Sequence, residues 1–305
     1  MASFSALQDL LADMKWVDYR KPKTLSEALD LLHHAEGKGR VIAGGTDLVL
    51  QLKRGKHRAE LLVDITDIAG LKHIHDDDDY IRIGAGVTHA EVAKTTSIQR
   101  EAKALVEGCA QVGSPQIQNI ATLVGNVVNA QPAADGAIPL MALEAQLKVV
   151  SKEGERWLSM EEAYRGVGAS AVDPNREIVT DVRFRKLGEW SETGFFRMAS
   201  RKTLALPILN GAVVLIFYPS SNRIKEARIA IGPVAEKPFR SRRAEAILES
   251  GKASPDMILE ASRIASEEAN PRTSFRGSAL YRKEMVRVGL SRTIGRILEE
   301  VNRKL

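Results

Sequence analysis

The chain has 305 residues, 44% of them hydrophobic, enough length and apolar content for two ordinary cores. Cys109 is the single cysteine, so this chain alone can build no intrachain disulfide, iron–sulfur cluster or cysteine zinc site. The net charge of +5 is unevenly spread: residues 181–305 hold 24 Lys+Arg against 14 Asp+Glu, and the remainder is net acidic. These basic residues alternate with acids along apparent helices and lack aromatic interleaving, which disfavours nucleic acid and leaves a solvated surface or an acidic protein partner. The longest apolar stretches, such as Ala212–Tyr218 and Ile138–Ala142, fall far short of the roughly 20 residues that span a bilayer. With no basic start or continuous apolar region, residues 1–16 do not read as a secretory signal, and a soluble cytoplasmic protein is expected.

In chain order, Phe4, Leu7, Leu10, Leu11 and Met14 fall at helical spacing and predict a short amphipathic docking helix over residues 1–14. Thr24 and Glu27 predict a capping box ahead of Leu25, Ala28, Leu29 and Leu32, which share one helical face. A strand over Arg40–Ala43 leads into Gly44-Gly45 and a helix from about Asp47 to Lys53. Leu61–Ile65 reads as a second buried strand, and Leu71–His75 with Tyr80–Ile83 as a hairpin around Asp76–Asp79. Helices are expected near Ala90–Lys94 and Gln99–Gln111, then an amide- and glycine-rich stretch over Gly113–Gln131. A helix starts within Pro132–Ala145, and Gln146–Ser151 is a strand. Around Leu187–Thr193 the character changes. Strands at Phe195–Ser200, Gly211–Tyr218 and Glu226–Gly232 precede three helical segments, an order that predicts an α+β unit with helices on one face of a small antiparallel sheet.

Three stretches carry candidate chemistry. In VIAGGTDLVLQLKRG, a strand ending in two glycines and opening into a helix turns the backbone N–H groups of Gly44 to Asp47 into one concavity, suited to a phosphate or pyrophosphate. The same pattern also describes a plain tight turn with Thr46 as helix cap, and no Lys-Ser/Thr pair follows to make it a P-loop. YIRIGAGVTHAEVAK imitates a dinucleotide fingerprint, but His89 stands where a third glycine belongs, and Glu107 falls inside a helix rather than at a strand end, so that reading is rejected. The third, GSPQIQNIATLVGNVVNAQPAADGAIPL, sets Gln116, Gln118, Asn119, Thr122, Asn126, Asn129 and Gln131 among small residues and ends with Asp135. Such carboxamides and hydroxyls suit a neutral polyol and a flavin edge, and equally describe a polar loop. His73 and His75 beside four aspartates read as a solvated turn, and Cys109 as a core thiol. With no residue set for acid–base or nucleophilic work, reactivity is expected from a cofactor.

Six segments, AGGTDL (43–48), IGAGVTHAEV (83–92), QIQNIATLVGN…PAAD (116–135), EIVTDVRF (177–184), FFRMASRK (195–202) and FRGSALYR (275–282), resemble in order and spacing the FAD-binding (medium) subunit of molybdenum hydroxylases. That family includes subunits of xanthine dehydrogenase, carbon monoxide dehydrogenase and hydroxybenzoyl-CoA reductase, and the similarity runs from about Trp16 to Gly289. The resemblance implies an α+β fold: a two-lobed vanillyl-alcohol-oxidase-type FAD-binding domain over 15–187, with lobes of about 15–70 and 71–187, followed by a smaller domain over 188–305 with a three-stranded antiparallel sheet plus helices. With that cofactor, the Gly44-Gly45 turn and the amide-rich wall lead to the expectation of one FAD held without a covalent bond. Ala43, Gly44, Gly45, Thr46, Asp47 and Leu48 would cradle its pyrophosphate. Thr122, Gly125, Asn126, Asn129 and Asp135 would line a second wall, and Ile178 or a neighbour and Arg197 would approach the flavin ring. The implied partners are a small [2Fe–2S] subunit and a large molybdenum-cofactor subunit, as a dimer of heterotrimers without nucleic acid or membrane. This chain would take electrons from the clusters and pass them through FAD to a soluble acceptor. A stand-alone flavin oxidase and a structural subunit with a degraded flavin site are the alternatives. Two positions depart from the family pattern. Val124 replaces the first of a glycine pair, and Leu204, Ala205 and Leu206 fill a loop that often carries an acid, which leads to the expectation of an acceptor of higher potential than NAD.

Overall fold

The computed structural model describes residues 17–201 and 203–304; the helix expected over 1–14 lies outside them. The chain begins with a parallel three-stranded sheet made of β1 (Asp18–Arg20), β2 (Gly39–Ile42) and β3 (Leu61–Asp64), with β3 in the centre. Parallel neighbours need crossovers, supplied by α1 (Leu25–His34) and α2 (Leu48–Lys53). Ala28, Leu29 and Leu32 form the buried stripe of α1, and the Thr24 hydroxyl caps it by accepting from Glu27 N at 3.2 Å. The Glu27 carboxylate accepts from Lys23 N rather than Thr24 N, so only half of the expected capping box forms.

A five-stranded antiparallel sheet follows, in the order β4 (Ile74–Asp76), β5 (Tyr80–Gly84), β10 (Ile178–Arg185), β6 (Gln146–Ser151), β7 (Gly154–Ser159). Between β5 and β6 the chain runs through six short helices: α3 (His89–Lys94), α4 (Thr96–Glu101), α5 (Lys103–Cys109), α6 (Pro115–Gln118), α7 (Leu123–Val128) and α8 (Ala137–Ala142). The helix expected over Gln99–Gln111 is broken at Ala102, which adopts φ −147° and ψ 57°. Alanine is a good helix former, so the break comes from tertiary structure: the Thr193 hydroxyl accepts from Ala104 N at 2.9 Å and caps the new helix. The GAG sequence after β5 also has a packing cause. A Cβ on Gly84 would overlap the Leu71 carbonyl, and the helix behind it starts with a full capping box, Glu91 N donating to Thr88 Oγ1 and Thr88 N to Glu91 Oε2. Glu107 accepts from Phe195 N at 3.1 Å and so serves as a structural strut. Residues 160–177 add a two-stranded sheet, β8 (Tyr164–Gly166) with β9 (Ala169–Ser170).

The last third carries an antiparallel sheet of β11 (Ser191–Met198), β12 (Leu209–Phe217), β13 (Ile224–Gly232) and β14 (Phe239–Arg240), backed by α9 (Arg242–Glu249), α10 (Pro255–Glu268) and α11 (Ala279–Lys304). The sheet has four strands rather than the three expected, because the two-residue β14 is too short to show periodicity. Strand β12 is buried on both faces, which explains its unbroken apolar run. Ala212 and Val214 face the first core, whereas Val213 and Leu215 pack with Leu290, Ile294 and Ile297 of α11 in the second. Among the described residues, no helix is long and apolar enough to cross a membrane.

Candidate functional site

A cleft of about 1180 Å³ runs between the parallel sheet, the amide-rich helices and the antiparallel sheet. It is large enough for a dinucleotide, exceeding the ~300–1,000 Å³ of ordinary ligand pockets. Its first wall is the turn between β2 and α2. Gly45 sits at φ +66°, a left-handed conformation that glycine adopts without strain. A Cβ on Gly44 would overlap the Ile120 carbonyl, so the turn lies directly against the second wall. Among the described residues, the amide N–H groups of Gly44, Gly45, Thr46, Asp47 and Leu48 find no acceptor. Five consecutive free donors beside a cleft form an anion-binding nest. Arg40, Arg54, Lys56 and His57 line the same end. Burial lowers the pKa of His57, helped by Arg40 and Lys56, and burial raises that of Asp47 against the pull of Lys56.

The second wall holds its polar groups by local bonds. Thr122 is the N-cap of α7, its hydroxyl accepting from Gly125 N at 3.0 Å. Asn126 Oδ1 accepts from Gly136 N at 3.1 Å, and Asn129 Oδ1 accepts from Gln51 Nε2 at 2.9 Å, which ties this wall to α2. Val124 is buried and packs into the first core while also lining the cleft.

At the far end Asp135 and Arg197 form a buried ion pair, Nε to Oδ2 at 3.0 Å, with side-chain exposures of 7% and 4%. Asn210 Nδ2 donates to Asp135 Oδ1 at 2.7 Å and to the Ala133 carbonyl at 3.1 Å, and Arg197 Nη2 donates to the Ala205 carbonyl. Burial pushes the Asp135 carboxyl up to about 6, held back by Arg197 and Asn210. Asp135 precedes α8 but does not cap it; its carboxylate is spent on Arg197 and Asn210. Arg197 reaches the cleft with its charge largely compensated by Asp135. Leu204 and Leu206 are exposed on the cleft wall, and Leu204 N donates to the Gly113 carbonyl at 3.0 Å across the cleft.

Twelve of the thirteen residues named from the sequence line this one cleft, from Ala43–Leu48 through Thr122, Gly125, Asn126, Asn129 and Asp135 to Arg197. Ile178 does not. Side chains alternate along a strand, and Ile178 points into the core while Glu177 and Val179 face the cleft. The sequence reading missed Arg54, Lys56 and His57, although the basic run Arg54–Arg58 directly after α2 was a visible signal. It also gave no role to Arg272, Arg276 and Arg282, which line the cleft from the antiparallel-sheet side. His89, fully buried behind the wall, donates or accepts through Nδ1 to Cys109 Sγ at 3.3 Å, and burial drops its pKa to about 4. His73 is bonded to Asp181 through Nε2 at 2.9 Å and stacks on His75.

Residues 13–185 match the family model described as the FAD binding domain in molybdopterin dehydrogenase, and residues 194–297 match that of the CO dehydrogenase flavoprotein C-terminal domain. The chain belongs to this family. It is an FAD-binding medium subunit of molybdenum hydroxylase type, an oxidoreductase subunit. It is 30% identical to the 6-hydroxypseudooxynicotine dehydrogenase complex subunit alpha of Paenarthrobacter nicotinovorans, covering 92% of this chain and 94% of that one. With the nicotinate dehydrogenase FAD-subunit of Eubacterium barkeri it shares 28% identity over 94% and 98% of the two chains. Its fold superposes on a chain of reconstituted CO dehydrogenase from Oligotropha carboxidovorans with a TM-score of 0.87 at 25% identity, covering 93% and 98%. The donor set of the cleft fits FAD: a nest of free amides for a pyrophosphate, a wall of carboxamides and a hydroxyl for a polyol, and an apolar loop at the far end.

Proposed function

We propose that this chain is the electron-relay subunit of a soluble, cytoplasmic molybdenum hydroxylase, taking electrons from [2Fe–2S] clusters of a small partner and delivering them to a soluble acceptor. A large partner would carry the molybdenum cofactor and the substrate pocket, in a dimer of heterotrimers. The run of unpartnered amides from Gly44 to Leu48, facing a carboxamide wall across a dinucleotide-sized cleft, carries the reading. In it, Gly44 to Leu48 bind the pyrophosphate, with Arg40 and Lys56 adding charge. Thr122, Asn126 and Asn129 orient the polyol, and the Leu204–Pro207 loop keeps water from the ring end. When bound, FAD supplies the ability to take up and release electrons one or two at a time, which no side chain of this chain provides.

Of the buried titratable groups of the cleft, Asp135 is committed to Arg197 and Asn210, while His89 lines the cleft fully buried, with Nδ1 on Cys109 and Nε2 unpartnered, and burial lowers its pKa to about 4, which makes it a weak base. That supports a relay rather than a stand-alone oxidase. The test is to purify the native complex and the isolated chain side by side. Iron and molybdenum should accompany the chain from its natural source, and the bound flavin should be reduced by organic substrate only with the partners present. Substrate turnover by the isolated chain at the rate of the complex would sink the relay and favour the oxidase.

A further inference from the structure

The segment Asn270–Arg282 brings three guanidinium groups, Arg272, Arg276 and Arg282, to the cleft wall beside Pro233. Arginines on the two flanking helices find carboxylates: Arg263 pairs with Glu260, Arg287 with Glu284 and Arg296 with Glu107. Among the described residues, the three on the cleft have no such partner, and the exposed Glu236 nearby makes no ion pair with them. Arg282 is the extreme case, being only 3% exposed. Its Nη1 donates to the carbonyls of Ile208 and Pro233 at 2.9 and 3.4 Å, its Nη2 to Ser274 Oγ at 2.8 Å, and its Nε to nothing. It also stands in the first turn of α11, a 26-residue helix with no acid there, so the helix dipole adds to the positive charge instead of offsetting it. Burial lowers the Arg282 pKa, and repulsion from Arg276 and Arg272 lowers it further. A buried, uncompensated charge is costly, and a compensating anion removes that cost.

We propose that this end of the cleft is an anion subsite that takes a phosphate or carboxylate group of the electron acceptor. Arg272 and Arg276 are its direct ligands, and Arg282 is the fixed positive charge beneath them. The acceptor role rests on the flavin reading given above; the subsite itself rests on the three arginines. The site is separate from the nest at Gly44 to Leu48, which lies on the other wall and already offers five donors to the one pyrophosphate of FAD. An anionic group held here stations its bearer at the end of the cleft that Arg197 and the Leu204–Pro207 loop also line.

The test is calorimetric titration of the FAD-loaded chain at low ionic strength, with inorganic pyrophosphate in one arm and citrate in the other. Wild type should bind one equivalent of one of these anions, and which one tells a phosphate source from a carboxylate source. The double variant Arg272→Ala/Arg276→Ala should bind it at least ~10-fold more weakly, because charge-assisted hydrogen bonds are lost. Flavin content is read from the visible spectrum of the same samples, so a failure to hold FAD is separate from a failure to hold the anion. Equal binding by the two proteins would overturn the subsite. So would loss of flavin from the double variant, which would assign the arginines to the FAD pyrophosphate. Absence of anion binding to wild type, with weakened partner association in the variant, would replace the subsite with a docking surface for an acidic protein.

Discussion

The Asp135–Arg197 pair gives the sharpest test of how the site is held. In Arg197→Met the Asp135 carboxylate keeps Asn210 but loses its counter-charge in a place where both side chains are less than 10% exposed. Removing one member of a buried pair costs about 3–5 kcal/mol when the other stays charged. The carboxyl can avoid that cost by taking a proton, so the loss should depend on pH. Burial raises the folded pKa of Asp135 to about 6, above the roughly 3.9 of an unfolded chain. The stability it contributes is therefore complete below about pH 4 and falls as pH rises through the folded value. Wild type should stop losing stability about one to two units above its folded pKa, where the paired carboxylate is nearly fully ionised. The variant, with a still higher folded pKa, should go on losing stability at higher pH. At pH 5 the two should differ by only ~1 kcal/mol, the worth of the lost hydrogen bonds, and at pH 8 by about 3–5 kcal/mol. Urea unfolding of the flavin-free proteins at pH 5, 6, 7 and 8 measures this directly. A gap that is constant across that range, or below ~1 kcal/mol at pH 8, would refute the account of a buried, compensated pair.

Three further outcomes follow from the cleft. Gly45→Val places a branched side chain at φ +66°, against Ile42 Cδ1, and should displace the amide nest. FAD affinity in reconstitution titrations should drop at least ~10-fold, and unchanged affinity would mean that the nest does not hold the ligand. Thr122→Val removes the cap of α7 while keeping its side-chain shape, and should cost ~1 kcal/mol, a fall of about 2–4 °C in Tm, with weaker FAD retention. The acid-free loop at Leu204–Pro207 should make NAD a slow oxidant of the substrate-reduced complex compared with an artificial dye; stopped-flow rates that match would remove the argument for a higher-potential acceptor.

The polar cleft was legible because its signals are local. Gly44-Gly45 after a strand, carboxamides among small residues and Thr122 ahead of an apolar turn each state a backbone requirement within a few residues. What stayed hidden depends on distant chain. Strand β10, the centre of the five-stranded sheet, follows a loop and is flanked by β5 and β6, which both come much earlier in the chain. The break at Ala102 needs Thr193, and the partnership of Asp135 with Arg197 joins residues 62 apart. The sequence presented Asp135 and Arg197 as two ligand-facing groups, and only the fold shows that they neutralise each other. The choice between Ile178 and a neighbour turned on a smaller matter: a strand's two faces differ by one residue, and with Ile178 and Val179 both apolar the segment EIVTDVRF does not tell them apart.

The far end of the cleft is built by both halves of the chain at once, and this sets a physical condition on function. Ala133 and Asp135 bond to Asn210 of β12, a Cβ on Gly232 of β13 would overlap the Pro132 carbonyl, and Leu204 bonds to Gly113. The segment that ends the carboxamide wall is thereby clamped on the antiparallel sheet by contacts that leave no room for an added methyl group. The nest at Gly44 to Leu48, by contrast, needs only the parallel sheet and Ile120 behind it. In the FAD pose proposed above, binding of the pyrophosphate end is therefore a property of the first half. In that pose the position of the ring end, and with it the gap to any donor or acceptor, depends on how the second half is seated. Because electron transfer and hydride transfer both demand fixed geometry at the ring, the contacts of Asn210, Gly232 and Leu204 bear on rate even though none of them bears on the redox chemistry itself.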